Sequence, residues 1–356
     1  MNKIISDGPE GKLVEIEGIT YQLIDGRLCR YADLTLDKGF KIVLGCPGSE
    51  GILKNLLNCL LGIEIVDLEY RSQEYPGMTE EDRSSRFDVF CRDTAGNGFL
   101  IEMQNWSQKY FNKRAVYYSS VAVQNQAVEE FHRQRDELGK EWDYDFRPLY
   151  VVSFLNFKNW TFEGCELRRN CYVATYRYTD VETGLGLGDG TTLVFVDLSR
   201  FSKTLGECEG LEDLWIYCIK NMATQNKCPD MVFGTDLEEL FTKAELAKMT
   251  VEQRTSYQIS MMQRNDIRNS MREAVEAAKE EAERIGRKKG EEEGRAEGRA
   301  EGRAEGRAEG HALGLEEGKT EAELAIAKRL LKMGLSIESV CEATGLSVEK
   351  ISSITE

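Results

Sequence analysis

An α/β domain followed by a long helical and low-complexity C-terminal tail is the fold class this sequence predicts. Three observations predict it. Residues 86–93 and 98–105 alternate apolar and polar across the tip Thr94-Ala95-Gly96-Asn97-Gly98, the pattern of an antiparallel β-hairpin. Segments of helical period flank that hairpin at 48–62 and 109–139. From about residue 250 the strand signal stops, and a charged helix gives way to a Gly-Arg-Ala-Glu repeat. The expected division is 1–250 for the α/β domain, 251–320 for the charged helix and repeat spacer, and 321–356 for a small helix-turn-helix-like module.

The elements follow in order. Residues 12–17 and 20–24 read as short strands. GSEGILKNLLNCLLG (48–62) sets apolar side chains at 52, 53, 56, 57, 60 and 61, a helical stripe that Gly62 ends. IEIVDLEYRS (63–72) reads as a strand, the hairpin follows, and 109–139 is a long helix. RPLYVVSFLNF (147–157), CYVATYRY (171–178) and TTLVFVDL (191–198) are strand-like, with helices over 201–222 and 236–249. GLGLGDG (184–190) joins two strands and no helix, so it reads as a turn and not as a phosphate loop.

In the tail, a glycine at every fourth position costs about 1 kcal/mol each relative to alanine. Glu297 faces Glu301 and Arg299 faces Arg303 at i,i+4, which is mildly repulsive. A fraying, semi-helical spacer is therefore expected. Beyond it, Gly334-Leu335-Ser336 and Gly345-Leu346-Ser347 punctuate three short amphipathic helices. The third offers Lys350 as its one base, and residues 321–356 carry four basic and six acidic side chains. That balance favours self-association or a protein partner over DNA reading.

Composition narrows the function. Lys and Arg number 46 against 62 Asp and Glu, a net charge of −16 that excludes a broadly basic DNA-coating surface but not a local basic cleft. The ten cysteines form no CxxC and the two histidines lie far from any paired cysteine, so no zinc site is expected. With no secretory apolar region and no apolar run of ~18 residues, the expectation is a cytoplasmic protein with no membrane span.

The hairpin carries the chemistry. Phe87, Val89, Cys91, Phe99, Ile101 and Met103 form one apolar face, and Asp88, Phe90, Arg92, Leu100, Glu102 and Gln104 form the other. A turn centred near Ala95 sets Asp88 opposite Glu102. Like charges so placed are destabilising, so solvent, a shared proton or a divalent cation has to compensate.

Several segments in order extend this pattern: DKGFKIVLG (37–45), the Leu-rich helix 49–61, RFDVFCRD and GFLIEMQ of the hairpin, RAVYYSSVAVQNQ (114–126), YDFRPLYVVSFLNF (144–157), and FVDLSRFSKTL with LEDLWIYCIKNM (195–222). The set resembles the PD-(D/E)XK nuclease superfamily, and within it the Rpn family of recombination-promoting nucleases and transposase-like proteins. The helical tail with its repeat is typical of such proteins as well. The resemblance implies a restriction-endonuclease-like mixed sheet flanked by helices. It implies a Mg2+- or Mn2+-dependent endonuclease that hydrolyses DNA phosphodiesters, linked to recombination or mobile elements.

By the same resemblance Asp88, Glu102 and Gln104 are the catalytic candidates. Asp88, Glu102 and the Met103 backbone carbonyl would hold the metal, with Glu50 at the start of the first helix as a further candidate ligand. Mg2+ takes few carboxylates and keeps several waters, which suits such a set. Gln104 stands where the superfamily usually has lysine; an amide orients a water but supplies no positive charge and no general base. Lys113, Arg114 and Tyr117, with Tyr118, are candidates to face DNA, although tyrosine at helical spacing also serves plain packing. Gln124 and Gln126 are candidates to support the site by hydrogen bonds. Asp37 and Lys41 fall on the opening segment without an assigned role, and His132 reads as a surface residue. The alternative function is a catalytically weak nuclease-like scaffold or DNA-binding module. In either case the helical tail is expected to drive homo-oligomerisation.

Overall fold

The alternating hairpin becomes the middle of a mixed sheet. The fold is seen in a computed structural model that describes residues 3–4, 13–24, 26–71, 74–75, 85–107, 109–158, 171–188 and 190–355. Four short strands, β1 (Lys3–Ile4), β2 (Leu13–Ile16), β3 (Ile19–Ile24) and β4 (Arg27–Cys29), pair antiparallel in that order. Helices α1 (Asp37–Leu44) and α2 (Glu50–Leu61) follow. Strand β5 (Glu69–Tyr70) and the small pair β6 (Glu74–Tyr75) with β7 (Ser85–Arg86) lead to β8 (Val89–Arg92) and β9 (Gly98–Gln104). The chain continues through α3 (Phe111–His132), β10 (Leu149–Leu155), β11 (Val173–Tyr176) and β12 (Thr191–Asp197). Helices α4 (Gly210–Asn221), α5 (Asp236–Ala244), α6 (Val251–Lys332), α7 (Ile337–Thr344) and α8 (Val348–Thr355) complete it.

The large sheet runs β11-β12-β10-β9-β8-β5, with β10 parallel to both β9 and β12 and the other pairs antiparallel. Parallel neighbours need a crossover, and α3 supplies it between β9 and β10. One face of the sheet, with Val89, Phe99, Ile101, Phe154 and Val196, joins α1, α2, α4 and α5 in the main core. The opposite face is covered as well: Phe90, Leu100 and Val151 pack with Ala122 of α3. Burial on both faces is what makes the central strands read as almost continuous apolar runs. Phe87 differs from expectation. It packs with Phe90 and Leu100 and not with Val89, because the chain bends at Asp88 and the strand begins only at Val89.

Several expected elements are shorter. Among the described residues of 63–72 only β5 is strand, the helix expected over 201–222 starts at Gly210, and α3 ends at His132 in a single π-helical turn, Arg133–Glu137. The described residues 184–188 and 190 are irregular, with Gly186 bridged to Thr179, and the strand β12 follows them, so they do not open a helix as a phosphate loop would. Helix α1 was not expected. It buries Phe40, Val43 and Leu44, and it lies so close to the preceding loop that a Cβ on Gly39 would sit 2.0 Å from the Asp33 carbonyl oxygen.

The chain divides into two units, residues 1–268 and 269–356. The first extends past the expected boundary at 250 because the start of α6 belongs to its core. Tyr257 is 0% exposed and Met261 is buried beside it. The Tyr257 hydroxyl donates to Gln22 Oε1 at 2.8 Å and accepts from the Asp33 amide at 2.7 Å, and Arg264 pairs with Asp33. Tyr257→Phe leaves two buried polar groups unpaired. It is expected to destabilise the protein by about 1–3 kcal/mol; an unchanged thermal melt would contradict this.

Helix α6 is continuous through the repeat, where a semi-helical spacer was expected. Glu, Arg and Ala fill three positions of every four and are all good helix formers, so their propensity outweighs the glycines. In the second unit Ala327, Val340, Leu346 and Ile351 form a small core. Ser336 caps α7, whose end is Gly345 in the left-handed conformation at φ 72. Among the described residues no helix is long and apolar enough to cross a membrane.

Candidate active site

The β8–β9 register pairs Val89 with Ile101 and Phe90 with Leu100. One step further along, Asp88 and Glu102 stand opposite each other at the open end of the hairpin. They are 8% and 9% exposed, so solvent does not separate them. Asp88 Oδ2 accepts from the Met103 amide at 2.7 Å. A strand residue turns its N–H and C=O to the same side, so the Met103 carbonyl also faces the Asp88 side. Glu102 Oε2 accepts from Gln104 Nε2 at 2.7 Å, and Gln104 Oε1 accepts from Arg114 Nη2 at 2.9 Å.

A cation from another element completes the group. Lys41 Nζ lies 3.0 Å from Asp88 Oδ1 and 3.0 Å from Asp37 Oδ1, one helical turn earlier on α1. Burial pushes the Asp88 carboxyl up to about 8, helped by its hydrogen bond with Asp37 and by the Glu102 charge. Burial likewise pushes Glu102 up to about 7, against the Gln104 hydrogen bond and the charges of Arg114 and Lys41. Burial would raise Asp37 too, but the proton shared with Asp88 and the nearby Lys41 hold it below its ordinary value. For Lys41, burial works against the charged form, yet Asp88 and Asp37 outweigh it and hold the ammonium above its usual range. Lys41 is therefore a fixed positive charge and not a base.

Does this set suit a divalent cation? Glu102 Oε1 is buried with no hydrogen-bond partner among the described residues. Two carboxylates and a main-chain carbonyl are hard oxygen donors of the kind Mg2+ and Mn2+ take. Among the described residues no group of three or more His, Cys, Asp or Glu side chains is arranged to hold a metal ion, so such an ion would rest on two carboxylates, a carbonyl and water. The residues fit.

Residues 34–274, well over half of the chain, match the family described as PD-(D/E)XK nuclease family transposase. The chain belongs to this family. Residues 320–356 match the C-terminal HTH domain of the Rpn/YhgA-like nuclease family. Comparison with curated proteins and with solved structures gives no match. The PD-(D/E)XK match spans α1 through the buried start of α6 and so includes both Lys41 and Tyr257.

Not every residue expected at the PD-(D/E)XK site gathers there. Asp88, Glu102, Met103 and Gln104 do, and Arg114 joins them through Gln104. Gln104, expected to orient a water, is held at both ends of its amide and links Arg114 to Glu102. Glu50 is engaged at its own helix start, where Oε2 accepts from the Gly48 amide at 2.7 Å. Lys113 and Tyr117 lie exposed on α3. Gln126 is buried under the hairpin tip, its Nε2 donating to the Gly96 carbonyl at 3.3 Å, so it braces the turn and not the acids. Gln124 is exposed on another flank of α3, and His132 is a surface residue beside Asp136. Lys41 and Asp37 are the site residues that sequence reasoning left without a role. Their i,i+4 spacing beside the apolar positions 40, 43 and 44 was the available signal.

The raised carboxyls make a pH prediction. Between their unfolded values near 4 and their folded values of about 8 and about 7, the folded protein holds more protons than the unfolded chain. The share of stability that these two groups govern in the metal-free protein is therefore fully present below about pH 4 and falls as pH rises toward 8, while Asp37, held below its ordinary value, acts in the opposite sense around and below pH 4. Thermal melts in a chelator at pH 5 and pH 8 check this, and added Mg2+ should recover the loss at pH 8.

Proposed function

We propose that this protein is a Mg2+- or Mn2+-dependent DNA endonuclease. The observation that carries the reading is the buried, face-to-face pair Asp88 and Glu102 with a fixed ammonium beside it. Asp88, Glu102 and the Met103 carbonyl would hold the metal. When bound, the ion supplies Lewis-acid polarisation of a phosphoryl oxygen and a more acidic water. Asp88 is aimed by the Met103 amide, and Glu102 by Gln104, which Arg114 holds in turn. Lys41 provides the positive charge that Gln104 lacks, and its place between Asp37 and Asp88 suits it to stabilise negative charge on phosphate.

The test is nicking of supercoiled plasmid by the full chain across a Mg2+ titration. Nicking that needs the metal supports the enzyme. Absence of nicking together with no metal-induced gain in melting temperature would favour the alternative, a nuclease-like scaffold.

For the C-terminal module, the family match favours a helix-turn-helix that contacts DNA, whereas its four bases against six acids favour a protein partner. We take the second reading: α7 and α8, with the long helix α6, serve self-association. Deleting 320–356 is then expected to lower the oligomeric state in light scattering and to leave DNA affinity unchanged. A link to recombination or mobile elements accords with the transposase family. A cytoplasmic location accords with the free cysteines.

A further inference from the structure

The total charge of the chain is −16, yet residues 103–128 contain no acid and carry Lys109, Lys113 and Arg114. That stretch enters α3 directly beside the catalytic pair. Tyr110 at the N-cap of α3 and Tyr117 within it are 59% and 55% exposed, and Lys113, which reaches the Tyr110 ring, shares a helical face with Tyr117 at i,i+4. Rings buried for packing would not stand in solvent this way. Lys109 and Lys113 place their ammonium groups 5.3 and 5.6 Å from the centre of the Tyr110 ring. Arg114, from the same turn, lies over the Tyr118 ring and reaches Gln104. On the flank, a cavity of about 270 Å³ is lined by Asn112, Val116 and Ser119 of α3 and by Tyr176, Arg177 and Tyr178 at the end of β11.

Interleaved rings and bases are what a single strand uses: bases stack on aromatic faces while Lys and Arg follow the phosphates. A duplex hides its base faces and requires a broad basic surface to meet its dense charge. Here the rings are as numerous as the bases and the surrounding chain is acidic. Tyr110 and Tyr117 are about 10 Å apart along the helix, the length of roughly three stacked nucleotides. We propose that the nuclease site takes unpaired DNA, with the Tyr110, Lys113 and Tyr117 face of α3 as the track that leads a single strand past Arg114 to Asp88 and Glu102.

This rests on the nuclease reading for the identity of the site but is tested apart from it. Fluorescence anisotropy in a chelator measures binding of the full chain to oligo(dT) of about 16 nucleotides, to a duplex of equal length and to oligo(U). Tighter binding of oligo(dT) than of the duplex is expected. Tyr110→Ala/Tyr117→Ala should weaken oligo(dT) binding by about tenfold or more, while Tyr110→Phe/Tyr117→Phe retains it. Both rings are exposed, and melting temperatures confirm that the variants fold. Equal or tighter duplex binding, or an alanine variant that binds as wild type does, overturns the proposal; stronger binding of oligo(U) assigns the track to RNA instead. Plasmid nicking that depends on Asp88, found together with any of these results, leaves the nuclease reading standing and removes only the track.

Discussion

Asp88→Asn is expected to abolish metal-dependent DNA nicking, by at least about a hundredfold, in a protein that is no less stable than wild type at pH 8 without metal. The two halves of this result have one cause. Loss of a group that merely supports a ligand typically costs 10–100-fold in affinity or activity, so loss of the ligand itself should cost about that or more. Asparagine keeps the shape and the oxygen that accepts from the Met103 amide, while removing the charge opposite Glu102. Lys41 keeps Asp37 as a partner. On the proposed function, the charge that costs the metal-free fold stability is the charge that would bind the ion. Wild type should therefore gain melting temperature when Mg2+ is added, by mass action on the folded state, and the variant should not. A variant that nicks as wild type does would remove Asp88 from the site. A variant that is inactive but also strongly destabilised would mean that Asp88 is structural.

The acid pair was legible in the sequence because a hairpin ties register to its turn: once the tip centres near Ala95, Asp88 must meet Glu102. Three features were less legible, each for a physical reason. Phe87 was read on the wrong face because alternation assumes a continuous strand, and the bend at Asp88 breaks that continuity. The all-apolar face of the hairpin was read as the core face, yet α3 buries Phe90 and Leu100 of the other as well, a consequence of topology that local pattern does not contain. The charged run after 250 concealed Tyr257 and Met261, two core residues at i,i+4 among polar and charged neighbours at the start of a long helix. Lys41 was hardest of all. It lies on a helix of eight residues, with Gly39 inside it, and its partner Asp88 comes from a distant part of the chain. The motif position that usually holds lysine has glutamine, and nothing local says where the missing charge is supplied.

That substitution leads to the second large effect. Lys41→Met is expected to lower the nicking rate by about 10²–10³, the range seen when one preorganised donor to a developing anion is removed. Mg2+ affinity should be unchanged or tighter, because Asp88 Oδ1 loses a competing cation. Methionine keeps the unbranched stem, so the packing of α1 is largely preserved, and Lys41→Arg should retain part of the rate by keeping the charge. The decisive variant is the double Lys41→Met/Gln104→Lys, which moves the ammonium to the position the superfamily commonly uses. Arg114 now bonds Gln104 Oε1 and would have to yield to a lysine there, so recovery should be partial, about tenfold over Lys41→Met. Recovery would show that the site needs one positive charge beside its acids and is indifferent to which element delivers it. Full activity in Lys41→Met alone would mean that Lys41 only neutralises Asp88 in the metal-free protein and that the ion, once bound, takes its place.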